Sequence, residues 1–371
     1  MRRIFWRRFD WTLVALVLLL GAFGILMVSS AVSGNEELSD LPARQAGFLA
    51  VGAALLFITA AIDYRVFAAL AVPIYVFLLL ALLAVAVTGT ALGGAQRWLA
   101  LGEQTIQPSE FIKLAVILVV AQYLANHEET MGRLFTPFGA VLIIVPAVVL
   151  IYLQPNLGTA LVVLVIGAIM LVAGGLRWYH VLILAVLAGL FAVPAWNYML
   201  QGYMKARILT FIDPSKATAA SGQGIDTFNI DQAMISIGAG GWLGQGLFRG
   251  SQNQLHFLRV RHTDFIFSVV AEELGFIGAL LLIALMAVML LRLVRIAEMA
   301  RDTHGRLIVT GVITMILWQM AVNIGMNLNL LPVSGMPLPL ISYGGSSLWS
   351  TLIGIGLAES VAMRYRKIEF E

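Results

Sequence analysis

Asp264 is the residue of this sequence whose type and position are best suited to chemistry. It lies in Arg261-His262-Thr263-Asp264-Phe265-Ile266-Phe267, where the longest hydrophilic stretch re-enters an apolar run. A carboxylate at a boundary between water and lipid can stay ionised and still reach a lipid-borne substrate, and ionisable groups at such positions are costly and rare. Asp is also a common helix N-cap. Position alone leaves the functional and the capping interpretation equally open.

A second group that could do chemistry is the pair Glu110 and Lys113. It follows Gln107-Pro108-Ser109, where Pro108 and Ser109 are good helix starters. Residues three apart are neighbours on one helix face, so the two side chains should meet. An ion pair that neutralises itself is at least as good an interpretation as a catalytic pair.

Two more polar clusters interrupt the apolar sequence. Gln154-Pro155-Asn156-Leu157-Gly158-Thr159 separates two apolar runs, with Asn156 as a candidate cap. Residues 338–347 contain prolines and glycines that break a helix at membrane depth, which is tolerated only where backbone lines a cavity or is buried in protein. Each cluster taken singly favours a structural role, whereas their convergence with Asp264 favours a shared cavity.

Helical periodicity predicts a polar stripe that begins at Asp264. On a continuous helix, Ser268 lies about 40° and Glu272 about 80° from Asp264, whereas Glu273 lies opposite. The stripe would reach about 12 Å into the helix, down to Glu272. Such a stripe is typical of a groove that faces the helix bundle.

Composition determines the environment of these groups. The 371-residue chain is 60% hydrophobic and 12% charged, and its mean hydropathy is +0.92. These values are far from those of soluble domains. The sequence contains 0 cysteines, which excludes disulfides and thiolate metal sites. The chain is therefore expected to be an all-α polytopic membrane protein, and a nucleic-acid partner is not expected.

Apolar runs of about 17–25 residues, the length that crosses a bilayer, indicate about ten spans. The first is too long for the apolar core of a signal peptide, although Ala31-Val32-Ser33 weakly resembles a cleavage site, so it is interpreted as an uncleaved helix. The close approach of two central spans leaves eight or nine as alternatives. The predicted spans are 11–33, 46–62, 67–88, 109–127, 136–153, 156–174, 178–198, 265–291, 307–328 and 345–363.

The distribution of basic residues orients these spans. Arginines precede the first span, Arg364, Arg366 and Lys367 follow the last, and Arg292, Arg295, Arg301 and Arg306 lie between the eighth and ninth. The positive-inside rule therefore places both termini in the cytoplasm.

With that orientation, Asp264 and the three other polar clusters all lie on the outer face. Loop 199–264 is the only loop large enough to fold on its own account. The predicted organisation is a single membrane domain, 1–371, that contains this large extracytoplasmic loop.

Long, ordered motifs give the chain a specific resemblance to a known family. From the third span to the last, the sequence resembles the SEDS family (shape, elongation, division and sporulation). Gln254-Leu255-His256-Phe257-Leu258 is more similar to its elongation branch, RodA, than to its division branch, FtsW. The other motifs are Gly94-Ala95-Gln96-Arg97-Trp98, Gln107-Pro108-Ser109-Glu110, Gln154–Thr159, Gly238–Gly278, Asn323-Ile324-Gly325-Met326-Asn327 and Pro337–Ser347.

The resemblance implies a peptidoglycan glycosyltransferase that polymerises lipid II outside the bacterial cytoplasmic (inner) membrane during cell elongation. It implies that Asp264 is the catalytic carboxylate. It also implies a class B penicillin-binding protein, a transpeptidase, as activating partner, together with other proteins of the elongation complex. Candidate substrate-binding residues are Arg97, Glu110, Lys113, Arg207, His262, Ser342 and Tyr343.

Cofactor use is less defined by the sequence. No cofactor is certain, and a divalent cation such as Mg²⁺ or Mn²⁺ is a candidate. Asn156 stands where the family usually has Asp, which removes one charge from the expected cavity and weakens the case for a cation. Arg259-Val260-Arg261 replaces a usual Pro-Glu, which predicts a more basic approach to Asp264.

Rival functions are a lipid II flippase or other carrier, a division-type polymerase, and a scaffold without catalysis. Broken helices and intramembrane ion pairs are also used by transporters. Against a carrier, the sequence shows no inverted repeat of hydropathy, and its polar clusters lie on one face of the membrane.

Overall fold

The chain folds into a helical bundle whose polar ends carry the candidate site. The computed structural model describes residues 8–88, 90–92, 95–101, 104–200, 202–212, 228–255, 257–258 and 260–364. The basic residues nearest both termini, which orient the spans, lie outside the described part, as do Arg259 of the expected basic approach and loop residues 213–227.

Ten helices of 17 residues or more correspond in order to the ten predicted spans. Among the described residues, six helical segments are long and apolar enough to cross a membrane, and three shorter helices are also apolar. The ten helices that correspond to the predicted spans are α1 Trp11–Val32, α2 Leu41–Ala61, α4 Ala71–Thr88, α5 Pro108–Asn126, α6 Thr136–Leu153, α7 Leu157–Ala173, α8 Trp178–Pro194, α12 Ile266–Glu298, α13 Thr303–Asn327 and α14 Gly345–Met363.

Smaller elements complete the described chain. Short helices are α3 Tyr64–Ala69, α9 Gly202–Ile212, α10 Phe228–Gly240 and α11 Ser251–Gln254. Single helical turns lie at Glu36–Leu38, Glu128–Thr130 and Ala195–Met199. Loop 199–264 therefore contributes α9, α10 and α11.

The all-helical membrane fold is confirmed, and one small three-stranded antiparallel sheet is added to it in the described part of the chain. The sheet consists of β1 Thr90–Leu92, β2 Ala95–Leu101 and β3 Gln104–Ile106, in the order β1-β2-β3. The sheet lies between the third and fourth predicted spans, where the sequence did not predict strands. Here backbone pairing satisfies polar groups that water or side chains would otherwise have to satisfy.

Helix packing brings the ends of distant spans together. The most extensive contact joins α2 and α14, while α12 packs against α1, α10 and α13, and α13 packs against α5 and α7. Among the six described segments that are long and apolar enough to cross a membrane, α5 is the most buried, and it packs against α4, α6, α7, α13 and α14.

A kink at Gly275 interrupts the long helix α12. Its φ of 68° is a left-handed conformation that glycine adopts at little cost. The backbone of residues 241–246 satisfies the freed groups: Phe276 N donates to Gly241 O at 2.8 Å, and Gly246 N donates to Glu273 O at 3.0 Å. The extracytoplasmic segment is therefore inserted into the hydrogen bonding of a membrane helix.

Candidate active site

Asp264 lies in a tight turn directly before α12 and is half-buried. The carbonyl of Val260 accepts hydrogen bonds from the amides of Thr263 and Asp264, each at 3.2 Å. The N-cap of α12 is Phe265, which makes no side-chain capping bond, and the first-turn amide of Ser268 donates to the side-chain oxygen of Asn327 at 3.2 Å. The capping interpretation of Asp264 is therefore wrong, and its carboxylate is not occupied by the helix end.

Two asparagines of α13 hold the backbone of the Asp264 turn. The side-chain amides of Asn323 and Asn327 both donate to the carbonyl oxygen of Asp264, each at 3.0 Å. Asn323 also donates to Met336 O at 2.7 Å, and the side-chain oxygen of Asn327 accepts from the Ser268 hydroxyl at 2.6 Å. Both asparagines are fully buried. The sequence analysis quoted them within a family motif without a role, although their spacing on one helix face was visible.

His262, Ser342 and Tyr343 lie beside Asp264, as the convergence of polar clusters predicted. The Ser342 hydroxyl donates to Thr263 O at 2.5 Å, and Tyr343 N donates to His262 O at 2.9 Å. The His262 and Tyr343 rings are in edge contact, with centroids 5.9 Å apart. Burial, with the nearby Arg261, lowers the pKa of His262, so its imidazole is neutral near pH 7.

Residues 338–344, which precede α14, are buried in protein. Burial in protein is one of the two settings in which non-helical backbone was expected at membrane depth. Gln45 of α2 bridges this segment: its side-chain amide donates to Ser342 O at 3.1 Å, and its oxygen accepts from Gly344 N at 3.2 Å. Ile341 is fully buried. Gln45 is thus a supporting residue that the sequence analysis did not identify.

Two arginines provide positive charge near the carboxylate. Burial raises the pKa of Asp264 to about 6. The positive charge of Arg207, a hydrogen bond from Thr263 and, more weakly, the charge of Arg97 oppose that rise. Arg97 donates to Gln154 O at 2.9 Å and to Pro155 O, which ties β2 to the corner between α6 and α7. Arg207 lies on α9 and is exposed.

The corner between α6 and α7 borders the same site. Asn156 caps α7, accepting from Thr159 N at 3.3 Å, as predicted. A Cβ on Gly158 would lie 2.7 Å from Ser334 O, so only glycine allows this corner to approach residues 334–336. A Cβ on Gly335 would lie 3.6 Å from the Asp264 Oδ2 atom. The corner, residues 334–336 and Asp264 are therefore contiguous.

The side chains that surround Asp264 do not form a metal site by themselves. In the described part of the chain, no three His, Asp or Glu side chains are grouped as metal ligands. Asn156 contributes an amide already used as a cap. A divalent cation therefore stays a prediction, and no chemical step below depends on one.

Glu110 and Lys113 form the predicted ion pair, with Nζ 2.8 Å from Oε2 and both residues buried. The Ser350 hydroxyl lies 3.5 Å from the same Glu110 oxygen, and Gln107 N donates to Ser346 at 3.0 Å, so the pair joins α5 to α14. The Lys113 ammonium is enclosed and contacts Glu110. The described contacts do not include one between this pair and Asp264.

The predicted polar stripe along α12 is wrong. Ser268 bonds Asn327, whereas the buried Glu272 accepts from the backbone of Gln252 at 2.7 Å and of Asn253 at 3.3 Å. Glu273, predicted to face the other way, accepts from Ser30 at 2.5 Å. The extracytoplasmic segment packs around α12 near the Gly275 kink and uses both carboxylates, so neither is left to line a groove.

Arg261 also differs from its expected role. It is buried, its guanidinium donates to the carbonyl of Ala31 in α1, and burial lowers its pKa. It anchors the Asp264 turn to α1. The expected basic approach is instead provided by Arg97 and Arg207.

We expect the two asparagines to act as positioning residues. Asn323→Ala and Asn327→Ala each remove a donor to the Asp264 carbonyl, and a shift of about 1 Å in a reacting group can cost about a hundredfold in rate. We expect kcat to fall about tenfold to a hundredfold with KM nearly unchanged, measured by steady-state kinetics of the activity that the family resemblance implies. Asn253→Ala is the control, because Asn253 is an equally buried amide that donates to Ser30 O and Glu273 and not to Asp264. Equal losses of kcat in all three variants would contradict the positioning role.

A double-mutant cycle tests the pair in α5. Glu110→Gln or Lys113→Met alone leaves a buried charge unpaired, which costs about 3–5 kcal/mol, whereas removal of both charges costs less. We expect the double variant to be more stable than either single variant in thermal unfolding in lipid nanodiscs. Strictly additive losses would show that the two residues do not interact.

Comparison with known proteins agrees with this arrangement. Residues 10–367 match the family described as Cell cycle protein (FtsW/RodA/SpoVE). The chain is 36% identical to the peptidoglycan glycosyltransferase MrdB of Escherichia coli K12, over 97% of this chain and 95% of that protein. It is also 36% identical to the probable peptidoglycan glycosyltransferase FtsW of Geobacter metallireducens, over 97% and 96%.

Solved structures show the same fold. One is a chain from a study of how a peptidoglycan synthase complex coordinates polymerization and crosslinking, with a TM-score of 0.81, 34% identity, and 95% and 97% of the two chains covered. Another is the Rod shape determining protein RodA of Thermus thermophilus, with a TM-score of 0.71, 33% identity, and 97% and 98% covered. The family match and the near full-length relatives establish that this membrane protein belongs to the FtsW/RodA/SpoVE family, the SEDS proteins.

Proposed function

We propose that this chain, a peptidoglycan glycosyltransferase by its family and relatives, polymerises lipid II on the outer face of the cytoplasmic membrane, with Asp264 as the general base. The single observation that carries the proposal is the geometry of Asp264. Its carboxylate is half-buried, is not used as a helix cap, and lies within the electrostatic reach of two arginines. The sequence similarity of residues 254–258 and the similarity to RodA support an elongation role.

The proposed reaction needs one carboxylate. Glycoside hydrolases use two because a leaving alcohol must be protonated. A lipid-linked donor departs as a pyrophosphate, which is already a good leaving group. Asp264 would take the proton from the acceptor 4-hydroxyl as that oxygen attacks the anomeric carbon of the donor, and the carbon–oxygen bond to pyrophosphate breaks with its electron pair.

The negative charge that develops on pyrophosphate needs cationic stabilisation. Arg207 is exposed on α9, and Arg97 is held in place by two backbone carbonyls of the corner between α6 and α7. Both lie close enough to lower the pKa of Asp264. They are therefore better placed for this task than the enclosed Lys113.

The pH dependence of the reaction follows from the pKa of Asp264. Because this pKa is about 6, the base form is lost as the pH falls below 6, and kcat/KM should drop about tenfold for each further pH unit. Arg207→Gln removes the larger of the two opposing charges and should move this acidic limb to higher pH. The measurement is the pH profile of polymerisation.

Two controls separate this titration from other effects. Lys205→Gln changes a neighbouring cation of α9 that does not influence Asp264, so it should leave the limb in place. His262→Gln should also retain the limb, because the lowered pKa of His262 is a separate titration. Loss of the limb in His262→Gln would assign it to the imidazole and contradict the proposal.

The rival functions are separated by one experiment. Purified protein with its transpeptidase partner receives labelled lipid II, in detergent for polymer formation and in liposomes for movement across the bilayer. Polymer formation supports the proposed function. Movement of label without polymer would identify a flippase. The absence of both polymer and label movement would identify a scaffold.

A further inference from the structure

An apolar groove lies far from Asp264, on the cytoplasmic half of the bundle. It has a volume of about 670 Å³ and lies among α7, α12 and α13. Its walls include Ile169, Val294 and Leu317, which are exposed apolar side chains. In a membrane-spanning protein, such exposed apolar walls face the acyl chains of lipids.

The groove is deeper than one leaflet of the bilayer. Arg306 lines it in the first turns of α13 and Ala321 lines it farther along the same helix, about 22 Å away at the helical rise. The hydrocarbon core of a bilayer is about 30 Å thick, so the groove extends from the cytoplasmic interface to beyond the midplane. The groove therefore has room for the whole of one acyl chain of a lipid whose headgroup lies at the cytoplasmic interface.

Two opposite charges line the cytoplasmic end of the groove. Glu298 is the last residue of α12, Arg306 follows across the short connection to α13, and both are exposed. Within the described ranges, neither side chain makes an ion pair with the other or with a third residue. The rim therefore presents an acid and a base that are both available to a headgroup.

We propose that this groove binds one phosphatidylethanolamine-type phospholipid of the cytoplasmic leaflet. Its acyl chain lies along α13, its phosphate contacts Arg306, and its primary ammonium donates to Glu298. A primary ammonium has three donors for a carboxylate, whereas a quaternary ammonium has none. A glycerol headgroup adds no cation, so an anionic lipid leaves Glu298 without a partner.

Native mass spectrometry tests the proposal on the full-length, delipidated protein. The probes are phosphatidylethanolamine, phosphatidylcholine and phosphatidylglycerol with identical acyl chains, offered in equal amounts. We expect the wild-type protein to retain one phosphatidylethanolamine about tenfold better than the other two lipids, the size expected for one hydrogen bond between charged groups. Equal retention of the three lipids, or preference for either competitor, would overturn the proposal.

Matched variants locate the site. Arg306→Gln should weaken phosphatidylethanolamine retention about tenfold, and Glu298→Gln should abolish its advantage over phosphatidylglycerol. Ala321→Trp fills the groove and should reduce retention of every lipid. The controls are Arg301→Gln, an exposed arginine of the same connection that does not line the groove, and Leu291→Trp, a lipid-exposed position elsewhere on α12. Equal effects of Arg301→Gln and Arg306→Gln on lipid retention would show that positive charge attracts lipid without a specific site, and would contradict the proposal.

Discussion

Asp264→Asn should abolish glycan polymerisation while the protein still folds and binds its partner. An amide has nearly the size and shape of the carboxylate, but it does not accept the proton that a general base must take. General base catalysis contributes about a hundredfold to ten-thousandfold, so the residual rate should fall by at least that lower factor. The measurement is polymerisation of lipid II by purified protein with its transpeptidase, alongside thermal unfolding.

The control is Asp40→Asn. Asp40 is also an outer aspartate, but its exposed carboxylate forms an ion pair with Arg44, at 2.6 Å. Exposed pairs of this kind contribute little to stability, so this variant should behave like the wild type. Asp264→Glu retains a base and should keep a measurable rate. Near wild-type polymerisation by Asp264→Asn would show that Asp264 is not the base.

Removal of the proposed transpeptidase partner should also suppress polymerisation. We propose that a class B penicillin-binding protein packs against the outer half of α12, where Phe276, Ile277 and Leu280 are exposed. The backbone of residues 241–246 is hydrogen-bonded into α12 beside them, so a partner there contacts the segment that leads to Asp264. A partner that binds the aligned conformation about a hundredfold more tightly shifts a 1:99 population to about 1:1, an increase of about fiftyfold.

The measurements are polymerisation rates and hydrogen exchange across residues 228–265, each with and without the partner. Phe276→Ala combined with Leu280→Ala should reduce the activation, whereas Leu291→Ala, equally lipid-exposed on the cytoplasmic half of α12, should not. Full activity of the isolated chain, with unchanged exchange in the complex, would defeat the proposal of activation.

The membrane architecture could be predicted from the sequence because hydropathy is a local property. A run of about twenty apolar residues must cross the bilayer as a helix whatever its neighbours are, since backbone groups in lipid must be satisfied within the segment. For that reason the ten predicted spans correspond to ten helices, with boundaries that shift by a few residues. The ion pair of Glu110 with Lys113 and the Asn156 cap were predictable for the same reason, because both depend on residues three apart.

Contacts between distant residues could not be predicted in this way. The sheet at residues 90–106 depends on pairing geometry rather than on an alternating apolar pattern. The hydrogen-bond partners of Glu272 and Glu273 depend on how the extracytoplasmic segment packs around α12. That helix is kinked at Gly275, and an argument from helical periodicity assumes a helix without a kink.

The sequence by itself therefore determined the membrane class, the family and the position of Asp264 at the boundary between loop and helix. Only the tertiary structure decided how that carboxylate is held. Asn323 and Asn327 are 59 and 63 residues away along the chain, yet both donate to the Asp264 backbone. Membrane spans and helix faces follow from residues that are neighbours in the sequence. The hydrogen-bond partners of a buried turn are instead set by which helices pack together, and in this protein α13 packs beside the start of α12.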